Sequence, residues 1–403
     1  MKKMVKTLLV IISIGVISIS LLNTKKELKE KDVENKKLAV FIKQEDGSYK
    51  TSTSIPQTGY TLNIEKSTCS NGAKPTWNNN TLKLSNLTNE NTNCYLYFDE
   101  EESTKKLKEL GLGANTTKPN FANAAITDEG IFGEEDGMYG GTSYYWRGAT
   151  TTNYLKFGGF CWRIIRINGD GSLRLIYDGA TCHVNGTSTS ESLAVTDQVY
   201  NSDSSRSEYV GYTYTTGSQR TTSGTASNLK TQNETWYNSN LASYASKMAD
   251  GKYCNDRNTG AGYSWSSQPS STLYYAGYDR SGAKSASSVS PTLSCPSGDV
   301  YTLKIGAITM DEVVIAGGKW GTPNNAYYLY SGNYYWTMSP YLFAPSSTYP
   351  AGVFYVNTSG NLISNSVNHT VPGVRPVINL KADVVISTGN GTIDSPFVVE
   401  GAE

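Results

Sequence analysis

Apolar and polar positions change their spacing several times along the chain, and each change predicts a different element. Residues 7–22 are sixteen uncharged, mostly apolar positions behind the basic start MKKMVK. As a helix, at ~1.5 Å per residue, this run spans about 24 Å, slightly short of a bilayer core of about 30 Å. A lysine-flanked apolar run near an N-terminus is a secretion signal or a membrane helix. A cleavage site would have to use Ser18 and Ser20 ahead of Leu21, a poor match to a small-residue site. The expectation is therefore an uncleaved anchor over residues 1–24, with a removed signal as the alternative. The stretch KKELKEKDVENKK then carries ten charges of mixed sign in thirteen residues, which predicts a solvated stalk over 25–38.

From residue 39 the spacing becomes alternate. GYTLNIEKSTC, TLKLSNL and CYLYF switch between apolar and polar positions and predict a small β module over 39–99. STKKLKELG predicts a short linker helix within 100–124. Aromatic strands, turns and polar loops fill 125–403. The clearest hairpin is FCWRIIRI-NGDG-SLRLIYDG, where Phe160, Trp162 and Ile164 alternate with Cys161, Arg163 and Ile165. Two segments keep helical spacing. One places Leu229, Trp236, Leu241, Tyr244 and Met248 on a face, with a break near Asn238; in the other, Thr309 and Glu312 form a capping box and Gly317 and Gly318 stop the helix. Loops 186–227 and 257–292, rich in Ser, Thr, Gly and Tyr, are longer than a compact domain carries without function or disorder.

Composition narrows the partners. Thirty-five basic residues balance thirty-five acidic ones and only 17% of residues are charged, so the basic excess that phosphate contacts require is missing and nucleic acid is not an expected partner. Twenty-nine Tyr and seven Trp among abundant Ser, Thr, Asn and Gly suit a loop-rich extracellular protein. The six cysteines fall two by two into separate stretches, which favours the disulfides Cys69–Cys94, Cys161–Cys182 and Cys254–Cys295 over six free thiols. None forms a CxxC, and His183 and His369 are the only histidines, so no metal and no cofactor is expected. No nucleophile motif surrounds either histidine, and Glu134-Glu135-Asp136 reads as a turn before it reads as a glycosidase pair.

The hairpin 157–179, the helix SNLKTQNETWYNSNL, the segment CNDR and the ending YWTMSPY…GVRPVINL together resemble uncharacterised surface proteins of Gram-positive bacteria. Over about residues 125–385 the chain resembles the C-type-lectin-like superfamily, in the branch of the formylglycine-generating enzymes and the variable receptor-binding proteins of diversity-generating elements. The resemblance implies an α+β fold with two helices and antiparallel sheets, and says little of activity, since that fold serves binding and catalysis alike. Thr322-Pro323-Asn324 lacks the carboxylate of the calcium-dependent lectins, and no cysteine pair follows Cys295 to serve formylglycine chemistry. Trp162, Trp336 and Arg375 are expected in the core, Arg375 matching the family's core arginine. The stretch between Trp336 and Arg375, which forms the binding face in the related receptor-binding proteins, supplies the ligand candidates Tyr341, Phe343, Tyr349, Asn365, Asn368 and His369.

The resulting expectation is a single-pass membrane protein with its C-terminal domain outside the cell. It would act as an adhesin, bound to the membrane through its N-terminal helix and to a glycan or protein on a host or cell surface. A polysaccharide-acting enzyme and a passive surface layer are the alternatives.

Overall fold

The computed structural model describes residues 37–44, 46–56, 60–78, 81–87, 92–100, 114–115, 117–348, 350–370 and 372–402. The chain divides into two compact units, Met1–Lys105 and Lys106–Glu403.

In the first unit the alternating segments become strands. Lys37–Lys43 pairs antiparallel with Tyr49–Ser52 and parallel with Asn93–Glu100, which also carries Tyr60–Leu62 and Thr68–Cys69 on its free edge. A separate hairpin joins Lys74–Asn78 to Thr81–Ser85. Alternation puts Val40, Leu62, Leu82, Cys94, Leu96 and Phe98 inside, with Trp77 edge-on to Phe98. Cys69 and Cys94 sit opposite each other in register and are bonded.

The second unit is built on two sheets. The larger has nine strands. Its spine runs Ile305–Gly306, Val377–Leu380, Leu173–Gly179, Phe160–Ile167, Tyr154–Phe157, Phe397–Val399 and Ile386–Thr388, and Thr142–Gly148 and Asp128–Glu135 extend it from Phe160–Ile167. The smaller, order Leu273–Tyr274, Tyr335–Phe343, Ala351–Val356, Leu362–Ser366, is a meander with an added edge. The 160–179 hairpin forms where alternation and the Asn168–Gly171 turn predict it, but Phe160–Ile167 is covered on both faces. Trp162 and Ile164 lie in the apolar core, and Arg163 and Arg166 are buried opposite them.

The expected fold class, α+β with an N-terminal membrane helix, is corrected by the structure. The protein is mostly β, with 37% of residues in strands and 12% in helices. Both predicted helices form but are short. The first, α1, spans Asn228–Asn240, capped by Ser227, and continues only as a 3₁₀ turn at Ala242–Lys247. Next come α2 (Ala276–Arg280) and α3 (Met310–Ile315), the latter opened by the Thr309–Glu312 capping box. None carries a layer of the fold; the sheets hold the core. Among the described residues no helix is long and apolar enough to cross a membrane, and the run 7–22 and the linker helix lie outside them.

Irregular backbone occupies much of this unit, and its carbonyls need donors. Buried arginines provide them. Arg147 donates to the carbonyls of Val314, Ile315 and Asn123, closing the C-terminus of α3. Arg163 donates to Asn153, Asn185 and the Thr150 carbonyl. The long loop 186–227 is likewise structural, since it delivers Tyr200, Val210 and Tyr212 to the core. The disulfides Cys161–Cys182 and Cys254–Cys295 complete the sequential pairing. Three such bonds fit an exported protein in an oxidising compartment.

Candidate functional site

The 337–370 segment splits its candidate residues between two environments. Tyr335–Phe343 pairs through Phe343 with Leu273 on one side and Ala351 on the other, which pulls the strand end inward. Tyr341 is 8% exposed and Phe343 3%. Tyr341 stacks on Trp320 at 5.0 Å and meets Phe354 edge-on at 4.9 Å. Neither is the exposed anchor that the sequence suggests. The half-buried Asn365 turns its Oδ1 back to the Ser366 amide at 2.8 Å, and His369 is exposed at the turn, its amide donating to the Ser366 carbonyl. Tyr349 lies outside the described residues.

Phe343 and Asn368 do come together. They line an open cleft of about 520 Å³ with Ser202–Ser205, Gln268, Pro269, Pro345, Ser347, Thr348 and Pro350. Three segments distant in sequence build it. Ser202–Ser205 is tied to the sheet by the Ala351 amide, which donates to the Ser204 carbonyl at 3.1 Å, and to α1 by the Ser202 amide, which donates to Asn228 Oδ1 at 3.0 Å. Asp203 Oδ1 accepts from the Ser205 amide at 2.8 Å and fixes the turn. Asn368 Oδ1 accepts from the Ser366 hydroxyl at 2.7 Å, which fixes Asn368 at the cleft.

The second and third segments meet at Glu208. This carboxylate is fully buried in a 3₁₀ turn, Ser207–Val210. It accepts from the Ser267 hydroxyl at 2.7 and 2.8 Å and from the Gly217 amide at 2.9 Å, and Arg206 lies 3.9 Å away. The Ser207 amide and hydroxyl bind the carbonyls of Ser267 and Ser266 at 3.0 and 2.6 Å. Glu208 therefore clamps the loop carrying Asp203 to the loop carrying Gln268 and Pro269. Both loops lie within the long stretches 186–227 and 257–292 that the sequence marks out, but no single residue of the cleft in them, Asp203 or Gln268 included, was a candidate.

Behind the strand end lies a charged core. Glu312 pairs with Arg166 at 3.3 Å and with Arg174, and also accepts from the Thr309 amide at 2.9 Å. Burial alone would raise its pKa, but Arg174 and Arg166 outweigh it and hold the carboxyl below the ordinary value. Arg280 forks onto Asp311 at 2.9 and 3.0 Å and reaches Asp256 at 2.7 Å. The Ser339 hydroxyl accepts from the Met310 amide at 2.8 Å, linking α3 to the strand that runs to the cleft.

The other sequence candidates have structural partners. Trp162 and Trp336 are buried, their indole N–H groups donating to the carbonyls of Phe157 at 2.9 Å and Gln198 at 2.7 Å. Arg375 is buried, donates to Leu329 and Tyr177 carbonyls, and lies 3.7 Å from Asp178. Asn324 donates to the carbonyls of Ala125 and Gly317, and Asp136 accepts two turn amides and the Ser143 hydroxyl. Comparison with protein-family models, with curated proteins and with solved structures returns no match. Chemically, the cleft offers hydroxyl, amide and prolyl surfaces over one aromatic ring, and Asp203 is its one carboxylate among the described residues.

Proposed function

We propose that the protein is an exported binding protein and that the cleft beside Phe343 holds a hydroxyl-rich ligand of a host or cell surface. The composition of the cleft wall carries this reading. Ser, Thr, Gln and Asn side chains exchange hydrogen bonds with neutral polar ligands, and Phe343 with three prolines gives an apolar floor that loses little entropy on binding. Glycoside hydrolysis uses two facing carboxylates about 5–9 Å apart; Asp203 has no such companion among the described lining residues. The resemblance to Gram-positive surface proteins supports the same reading.

The test is a glycan and host-cell binding screen with the exported protein, repeated with Thr348→Trp. Thr348 is exposed on the cleft rim, so the indole fills the cleft without entering the core. Retained binding with thermal stability unchanged would remove the cleft from the proposal. Turnover of a bound polysaccharide, lost in Asp203→Asn, would replace binding by catalysis.

A further inference from the structure

Five aromatic side chains from three segments form a continuous ladder. Tyr274 and Tyr278 stack at 4.0 Å with ring planes 24° apart, and Trp320 and Tyr341 stack at 5.0 Å and 23°. Tyr341 joins the two stacks edge-on, 5.6 Å from Tyr274 and 6.0 Å from Tyr278, and Tyr263 closes the row 5.3 Å from Tyr274. Tyr263, Tyr274, Tyr278 and Trp320 are half-buried, so the row is a shelf at the surface.

The polar atoms of this shelf set it apart from the tyrosines that support the fold. Tyr154, Tyr253, Tyr275 and Tyr335 each donate a hydroxyl to a backbone carbonyl, at 2.6 to 3.0 Å, and the hydroxyls of Tyr145, Tyr200 and Tyr328 are sealed in the core. The four shelf hydroxyls and the Trp320 indole N–H have no partner among the described residues, and none of the five is sealed from solvent. Burial pushes the Tyr341 hydroxyl up, and the nearness of Tyr274, Tyr278 and Tyr263 adds to it. Most charges beside the shelf are paired, although Lys319, next to Trp320, has no ion pair among the described residues. Asp279 pairs with Lys284 at 2.8 Å, and Arg280 is held by Asp311 and Asp256. The shelf thus combines ring faces and free hydroxyls with little uncompensated charge.

We propose that this shelf binds a neutral hexopyranose polymer. A pyranose ring has one face of C–H groups and an equatorial rim of hydroxyls. Ring faces receive the first and phenol and indole groups exchange hydrogen bonds with the second, while an acidic polymer finds only the single unpaired Lys319 beside Trp320. The four half-buried rings offer positions for successive sugars of one chain, and the buried Tyr341 holds the two stacks together.

The experiment uses the full exported chain, with indole fluorescence and isothermal calorimetry as readouts. Cellohexaose represents plain glucans and chitohexaose represents wall-type amino sugars, so the two arms separate an environmental from an envelope source. The expected result is binding of at least one, weakened about 10-fold by Tyr278→Ala and by Trp320→Ala, as for single aromatic anchors. Tyr278→Phe keeps the stack and removes one hydroxyl, with a loss of about 3-fold expected. Lys156→Ala, exposed on the Tyr154–Phe157 strand, is the control expected to leave binding unchanged. Trp320 also packs on Phe354, so Tyr278→Ala decides the matter if Trp320→Ala fails to fold. Binding unchanged in Tyr278→Ala, no binding of either oligosaccharide, or binding only of a polyanion such as dextran sulfate would each overturn the proposal.

Discussion

Removing Glu208 should loosen the cleft from within. Its carboxylate is fully buried and receives the Ser267 hydroxyl and the Gly217 amide at 2.7 to 2.9 Å. Hydrogen bonds to a charged group contribute about 1.5–3 kcal/mol each, and a buried donor left unpaired costs about 1–3 kcal/mol. Glu208→Ala removes two such bonds, while the exposed Gly217 amide can turn to water, so a loss of about 3 kcal/mol is expected once loop relaxation recovers part of the sum. Glu208→Gln keeps an acceptor oxygen for Gly217 and a group for Ser267, and should cost only about 1 kcal/mol. Urea unfolding at neutral pH measures both, with the midpoint read at constant slope. Hydrogen exchange should show faster opening in 202–217 and 264–269, with the 160–179 hairpin unchanged until global unfolding. A Glu208→Ala protein within 0.5 kcal/mol of wild type, or exchange that rises evenly across the unit, would refute the clamp.

Three further outcomes follow from the same structure. Replacing Cys161 and Cys182 together by Ser opens a link of sequence separation 21 and should cost about 3 kcal/mol in the chain-entropy model; an unchanged melting temperature would show that the hairpin needs no such closure. Glu312 has a pKa held below the ordinary carboxyl value, so its contribution is complete above the unfolded-state pKa and disappears as pH falls through the lower folded one; Glu312→Gln should be less stable at neutral pH by about 3–5 kcal/mol and should flatten the acid limb of the stability profile, and equal acid limbs would contradict this. In the first unit, burial and the neighbouring Asp99 carboxylate push the Tyr49 hydroxyl up from 10 to about 12, so stability present below pH 10 should decline between there and pH 12; ultraviolet titration of wild type against Tyr49→Phe should lose one high-pH phenol, and an ordinary midpoint near 10 for that phenol would contradict the pairing.

Local chemistry in the sequence was a good guide where an element is completed by its own neighbours. The 160–179 hairpin needs only alternation and the Asn168–Gly171 turn, and α3 needs only Thr309 and Glu312. The cysteine pairs close within single stretches of chain. Burial was less legible. Arg163 occupies an alternate position that a one-sided sheet would leave in water, and a register shift between Ile164 and Arg166 breaks the phase before Arg166, yet both are buried among loop carbonyls and carboxylates. Tyr341 and Phe343 resemble exposed anchors for the same reason in reverse, since the segment Leu273–Tyr274 that covers them arrives from nearly seventy residues earlier.

The cleft was the least legible feature because no single segment contains it. Asp203 and Gln268 become neighbours only through Glu208, whose partners lie at 217 and 267, and Asn368 joins them only when the meander places it beside Ala351. Ordinary pattern reading assigns such a glutamate to the surface, since an isolated acidic residue in a polar loop has no periodicity to bury it. The group that ties two of the cleft's loops together, Glu208, is thus buried and charged. The groups that would touch a ligand are short, neutral and mostly exposed: Ser202, Ser205, Gln268 and Thr348. Exposed substitutions rarely shift stability by more than about 0.5 kcal/mol, whereas unpairing a buried charge costs several. A face arranged in this way can change what it recognises without loosening what supports it.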